Sequence, residues 1–122
     1  MGCSSESAAP NPAPAPRPSA QGGTRVLLAY FSRAGENYHY GGRRHLPVGN
    51  TEVLAGLIGA RIGCDLHRIE AAVPYSDDYD DTVARNEREQ DADARPPIAN
   101  PLPDITRYDV VLLGSGLWNV RP

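Results

Sequence analysis

The sequence predicts an α/β domain built on a parallel β-sheet. Two near-continuous apolar runs, Arg25 to Phe31 and Asp109 to Leu113, have the composition of strands that are buried on both faces. Between them the pattern changes to helical spacing, then to a shorter strand-like segment, then to a polar helical segment. This order of strand, helix, strand, helix and strand is typical of βαβ units with right-handed crossovers, and it therefore indicates a parallel sheet.

The first helix is predicted to follow Asn50 and Thr51, either of which is a candidate N-cap. Gly63 is the candidate C-terminal stop. Gly56 and Gly59 lie inside this helix, and each weakens it by about 1 kcal/mol relative to alanine. The apolar residues that recur at helical spacing are Val53, Leu54, Leu57, Ile58 and Ile62.

The second half of the chain supplies the remaining elements. Leu66 to Ile69 is a short predicted strand, and Cys64, which leads into it, is expected to be a small core residue. Asp77 to about Asp91 is predicted to be a polar helix. Ala94 to Ile105 holds four prolines and is predicted to be a loop.

Residues 1–23 differ in composition from the rest and are rich in proline, alanine and serine. Such a segment cannot bury enough surface to offset its ordering entropy, so we expect a disordered tether, with the domain at residues 24–122. The N-terminal GCSS is similar to the mature end of a bacterial lipoprotein, which makes Cys3 a candidate lipid anchor. A lipoprotein remnant and an accidental N-terminus are equally favoured, so the expected localisation is either the cytoplasm or the cell envelope.

Composition excludes several classes of function. The formal net charge of −3 argues against a nucleic-acid-binding surface, and the two cysteines do not form a disulfide framework. No apolar segment is long enough to span a membrane. Acidic residues concentrate between Asp77 and Asp93, where a solvated helix face is favoured over a docking surface for a basic redox partner.

Two segments lie where open α/β sheets bind ligands, beyond the carboxyl ends of the strands. In the first, Ser32 follows the first strand, and Asn50 and Thr51 begin the first helix. Backbone N–H groups, the helix dipole and hydroxyl donors favour a phosphate monoester there, although an ordinary capped helix is equally favoured. The second runs from Gly114 to Val120 and holds Trp118, the only tryptophan. Its ring suits stacking on a flat heterocycle, but for a lone tryptophan packing against a following helix is favoured.

The sequence lacks the motifs of other ligand sites that occur in α/β sheets. The sequence after the first strand is SRAGEN, which lacks the GxGxxG of dinucleotide-binding folds, and the chain has no lysine for a P-loop. A phospho-receiver domain needs clustered acids at the end of the first strand and an aspartate at the end of the third. The chain has YFS and GS at these places, so a mononucleotide site remains.

Five blocks of the chain resemble the flavodoxin family, namely AYFSRAGENY with LPVGNTE, GCDLHRIE, PYSDDYD, EREQDADARPPI and YDVVLLGSGLWNVRP. The resemblance runs from about Arg25 to Pro122 and is greatest to a bacterial branch with a long insertion in the phosphate loop, here Tyr38 to Val48. It implies a flavodoxin-like three-layer fold with the strand order 2-1-3, without the family's strands 4 and 5. The chain would then be the N-terminal portion of such a domain, and we expect this portion alone to bind FMN poorly or not at all.

The resemblance also implies FMN as the cofactor. The FMN phosphate would be held by Ser32, Arg33, Asn50 and Thr51. The flavin ring would be flanked by the loop after the third strand, which comprises Ser115, Gly116, Leu117, Trp118, Asn119 and Val120. The insertion could cap the cofactor or bind a partner, but a surface excursion is favoured.

The function implied by the resemblance is FMN-dependent electron transfer. Because the flavin supplies the redox chemistry, no catalytic side chain and no metal ligand is expected from the chain. The partner would be a redox protein or NAD(P)H, and an enzymatic form would be a quinone-reductase-like oxidoreductase. Two alternatives stay open: a truncated fragment without independent activity, and a tethered binding module that uses the insertion.

Overall fold

The structure, a computed structural model, describes residues 23–118. The predicted tether, except for Gly23, lies outside the described residues, and so do Cys3, Asn119 and Val120. The elements are, in chain order, β1 (Val26–Phe31), β2 (Gly35–His39), β3 (Gly42–Leu46), α1 (Asn50–Ile62), β4 (Asp65–Ile69), α2 (Tyr79–Asp91) and β5 (Val110–Gly114). A short 3₁₀ helix, Ile105–Arg107, precedes β5.

The central sheet is parallel and has the strand order β4-β1-β5. Leu28 of β1 lies beside Leu66 of β4 on one side and beside Leu112 of β5 on the other, so one row of the sheet consists of leucines. The predicted α/β class, the parallel sheet and the central position of the first strand are confirmed.

β1 forms the centre of the core, as its apolar composition predicts. Four consecutive residues of this strand are buried: Leu27, Leu28, Ala29 and Tyr30. Leu28 and Tyr30 form a cluster with Ala55 of α1, and Cys64 packs against this cluster as a partly buried side chain. The expectation that Cys64 is a small core residue is therefore confirmed.

The two faces of the sheet are covered by different helices. Tyr30 points toward α1, and because side chains alternate along a strand, Phe31 points to the opposite face. There the Phe31 ring contacts Tyr75, with a centroid separation of 6.0 Å. The Tyr75 hydroxyl donates to Glu89 of α2 at 2.7 Å, so Tyr75 links α2 to this second face.

The expected burial of β5 is wrong, and most of the apolar residues of α1 are exposed as well. β5 is not buried on both faces, since Leu113 is 74% exposed and Val111 is 45% exposed. Within the part of the chain that the structure describes, β5 pairs only with β1. Its other edge therefore has no neighbouring strand whose side chains would help to cover those of β5. The apolar stripe of α1 is also largely uncovered. The buried residue of this helix is Ala55. About half of the side chain is exposed in Val53, Leu54, Leu57 and Ile62.

The number of strands also differs from the prediction. Residues 23–118 contain five strands and not three, because β2, which begins before the insertion, and β3, which lies within it, form an antiparallel hairpin. Tyr40 and Gly41 make its turn, with φ of 55° and 85°. Positive φ at both central residues is the geometry of a type I′ turn, which matches the twist of the flanking strands. A tyrosine at the first of these positions is a weak turn signal, and the sequence therefore did not indicate a hairpin.

The helix boundaries agree with the prediction at some ends only. Gly49, with φ −67° and ψ 156°, is the N-cap of α1, so the expectation that Asn50 or Thr51 has this role is wrong. Gly63 ends α1 in the left-handed conformation, and its N–H donates to the Gly59 carbonyl at 3.0 Å, as predicted. α2 ends at the predicted residue, Asp91.

Candidate functional site

A cavity of about 380 Å³ lies at the carboxyl ends of β1 and β5. We call it the hairpin cavity, because β2 of the hairpin lines it together with the start of α1, α2 and the loop after β5. Most of the predicted cofactor contacts meet here: Ser32, Arg33, Asn50, Thr51, Gly116, Leu117 and Trp118. Ser115 lies apart from them and lines a neighbouring cavity.

The Ser32 side chain, in the loop after β1, is held by α1. Its hydroxyl oxygen accepts a hydrogen bond from the Glu52 N–H at 3.0 Å, so it satisfies a first-turn donor that would ordinarily bond an N-cap side chain. The N-cap itself, Gly49, has no side chain to do so. A Cβ at position 49 would lie 2.3 Å from the Ser32 Oγ and 2.5 Å from the Arg33 carbonyl oxygen. Only glycine allows the loop after β1 to approach the helix this closely.

The first turn of α1 leaves donors available to the hairpin cavity. The backbone N–H groups of Asn50 and Thr51, and the Thr51 hydroxyl, have no hydrogen-bond partner within residues 23–118. Unpaired N–H groups at a helix N-terminus, together with the helix dipole, favour an anion. The Asn50 side chain is occupied differently, because its amide donates to the Tyr38 carbonyl at 3.3 Å and holds the hairpin.

Arg33 lines the cavity, but its guanidinium holds the backbone of other segments. It donates to the carbonyl oxygens of Glu36 at 2.8 Å, Ser76 at 3.0 Å and Asp77 at 3.1 Å. Burial lowers the pKa of the guanidinium, and nearby acids, Asp77 first among them, oppose that shift. Arg33 therefore joins the loop after β1 to the segment that leads into α2.

The hairpin is folded against the start of α2. The Glu36 carboxylate accepts from the Tyr79 N–H at 3.0 Å, and the Tyr38 and Tyr79 rings meet edge to face at 5.2 Å. Arg43 lies over the Tyr79 ring at 4.3 Å and pairs with Asp80 at 3.0 Å. The expectation that the insertion is a surface excursion is therefore only partly right. β3 is mostly exposed, whereas Tyr38 of β2 contributes to the cavity wall.

A family model described as Flavodoxin matches residues 25–122. The chain belongs to the flavodoxin family. A search of curated protein sequences found no match to it.

In this flavodoxin-family domain, Trp118 forms one wall of the hairpin cavity. Its ring contacts Phe31 at a centroid distance of 5.6 Å and Tyr75 at 5.0 Å. The Gln90 side chain of α2 donates to the Trp118 carbonyl at 2.9 Å. Trp118 thus packs on residues that precede it in the chain.

Sequence reasoning did not assign several side chains of the cavity wall to the site. They come from β2 and α2, namely Asn37, Tyr38, Tyr79, Thr82, Val83 and Asn86. The α2 residues lie more than 45 positions after Ser32 in the chain, and only the packing of the hairpin on α2 brings the two groups together. Tyr38 and Tyr79 are aromatic, which was the one available signal.

Within residues 23–118, no helix is both long and apolar enough to cross a membrane. No group of three or more histidine, cysteine, aspartate or glutamate side chains in this range is placed to hold a metal ion.

Proposed function

We propose that this flavodoxin-family chain is a redox protein that binds FMN in the hairpin cavity. The phosphate would lie at the start of α1 and the ring beside Trp118. One observation carries the proposal: a single cavity joins the unpaired first-turn donors of α1 to a wall of aromatic side chains. When bound, the flavin supplies the electron chemistry, and the chain supplies binding, orientation and electrostatics.

The donors around the start of α1 fit a phosphate monoester. The N–H groups of Asn50 and Thr51 and the Thr51 hydroxyl would donate to phosphate oxygens, and the α1 dipole adds a favourable field. The Ser32 oxygen already accepts from the Glu52 N–H, so its own proton remains available to an anion. Hydrogen bonds to a charged group contribute about 1.5–3 kcal/mol each. This end of the site would therefore select for ligands that carry a phosphate.

An acidic residue in the first turn of α1 would oppose a phosphate, and the structure compensates for it. Glu52 is that residue, and its carboxylate pairs with the Arg68 guanidinium of β4. Arg68 also donates to the Ser32 carbonyl at 3.4 Å, so it holds both sides of the loop–helix junction. Arg68 is therefore a positioning residue that supports the anion site without lining the cavity.

The ring end of the cavity is aromatic and apolar. Tyr38, Tyr79, Leu117 and Trp118 lie in its wall, and aromatic faces and edges of this kind bind flat heterocycles. The cavity volume of about 380 Å³ lies within the range of small-molecule sites, about 300–1,000 Å³. These walls would orient the ring and exclude water from it.

Substitution of the first-turn side chains tests the phosphate end of the proposal. Replacing Asn50 and Thr51 together with alanine should weaken FMN binding by about 1–3 kcal/mol, because a hydroxyl donor to the phosphate and the amide that holds Tyr38 are both lost. Flavin fluorescence titration measures the change. Thr24→Ala, at an exposed position before β1, is the matched control and should bind as the unaltered chain does. Unchanged affinity in the double variant would remove both side chains from the site.

A further inference from the structure

A second cavity of about 380 Å³ lies on the other side of Trp118. We call it the proline-loop cavity, because Pro96, Pro97 and Ile98 form one wall, opposite the ends of β1 and β4. It shares Phe31 and Trp118 with the hairpin cavity. None of the residues that the proposed phosphate site requires lines it, so it is a separate space that the proposed function does not use.

The aromatic wall of the proline-loop cavity is held in place by packing. The rings of Phe31, Tyr75 and Trp118 contact each other edge to face, with centroid distances of 5.0–6.0 Å. Arg85 lies over one face of the Tyr75 ring at 3.7 Å, and the Tyr75 hydroxyl donates to Glu89 at 2.7 Å. A rigid wall of aromatic rings favours a flat ligand, because little side-chain entropy is lost when the ligand binds.

The charged side chains that line this cavity have one sign, although arginines lie beside them. Glu70, Glu89 and Asp93 line it, and no arginine, lysine or histidine does so among the described residues. Glu89 is compensated by Arg85, 2.8 Å away. Glu70 and Asp93 pair more loosely, with Arg68 at 3.6 Å and Arg95 at 4.0 Å, and their side chains are more than half exposed, so both carboxylates remain accessible to a ligand.

We propose that the proline-loop cavity binds a small planar heteroaromatic cation. Aromatic rings attract a cation through their negative faces, and the carboxylates of Glu70 and Asp93 add to this attraction at the rim. The same carboxylates repel a ligand of equal shape that carries a negative charge. The proposal does not depend on FMN, although the shared Trp118 wall would place such a ligand next to the hairpin cavity.

Three pyridine ligands of similar shape and different charge test the proposal directly. They are 1-methylnicotinamide, which is cationic, nicotinamide, which is neutral, and nicotinate, which is anionic. The chain has one tryptophan, so the indole N–H of Trp118 gives a single NMR signal that reports occupancy. We expect saturable shifts with 1-methylnicotinamide, binding at least about tenfold weaker with nicotinamide, and no saturation with nicotinate. Equal affinity of the cation and the anion, or no saturable shift with the cation, would overturn the proposal.

Variants locate the binding, since Trp118 also borders the hairpin cavity. Glu70 and Asp93 line only the proline-loop cavity, and E70Q with D93N should weaken 1-methylnicotinamide binding about tenfold while leaving nicotinamide binding unchanged. Asp91→Asn removes one negative charge from an exposed position of α2 that does not line the cavity, and it should have little effect. Unchanged affinity of the double variant for the cation would refute the assigned site.

Discussion

Replacing Gly49 with alanine should destabilise the junction between β1 and α1. The backbone at position 49, with φ −67° and ψ 156°, suits any residue, so the cost is steric alone. The new Cβ would lie 2.3 Å from the Ser32 Oγ, and that oxygen already accepts the Glu52 N–H at 3.0 Å. The Arg33 carbonyl, 2.5 Å from the same Cβ, blocks a small shift in the other direction. Crowding costs about 1–3 kcal/mol and a lost cap about 1 kcal/mol, so we expect a loss of about 2–4 kcal/mol.

Urea denaturation followed by circular dichroism measures this loss as a change in the free energy of unfolding. Gly56→Ala is the matched control, because it adds the same methyl group to α1 where no atom outside the adjacent helix backbone lies within 4 Å. Alanine in a helix interior should stabilise the chain there by about 0.5–1 kcal/mol. If Gly49→Ala unfolds at the same urea concentration as the unaltered chain, the close approach of the loop to α1 does not exist as described.

Two further predictions concern hydroxyl groups. Ser32→Ala should lower the free energy of unfolding by about 1 kcal/mol, because the Glu52 N–H loses its acceptor; urea denaturation tests this, and an unchanged midpoint would contradict the capping role. Burial and the hydrogen bond to Glu89 raise the pKa of Tyr75 to about 12, from an ordinary value of 10.0. The stability that follows from this shift is present below pH 10 and is lost as the pH rises toward 12. Tyr75→Phe should therefore show a smaller fall in melting temperature between pH 9 and pH 11.5 than the unaltered chain, and an equal fall would contradict the shift.

The sequence predicted best the elements whose own composition determines their environment. β1 is apolar at nearly every position and lies between two strands, so its run of buried residues could be predicted. β5 has a similar composition but has β1 as its only partner among the described strands, and it is therefore exposed. Burial of a strand depends on its neighbours, which the strand's own residues do not specify.

The hairpin and its part in the site could not be predicted, because distant contacts hold it. The Glu36 carboxylate reaches the Tyr79 N–H, and Arg43 reaches Asp80, across gaps of 43 and 37 positions. Neither β2 nor β3 has the alternating apolar pattern that predicts a strand. Ser32, by contrast, lines the hairpin cavity, and its position at this edge of the sheet could be predicted because it follows a buried strand in an α/β sheet.

A comparison of FMN with riboflavin tests the central claim most directly, since the two ligands differ only in the phosphate. Both are titrated into the chain, and quenching of flavin fluorescence gives each dissociation constant. The donors at the start of α1 predict that FMN binds at least about tenfold more tightly at low salt, because charge-assisted hydrogen bonds to the phosphate contribute about 1.5–3 kcal/mol each. Equal affinity for the two ligands, or no binding of FMN, would contradict the account.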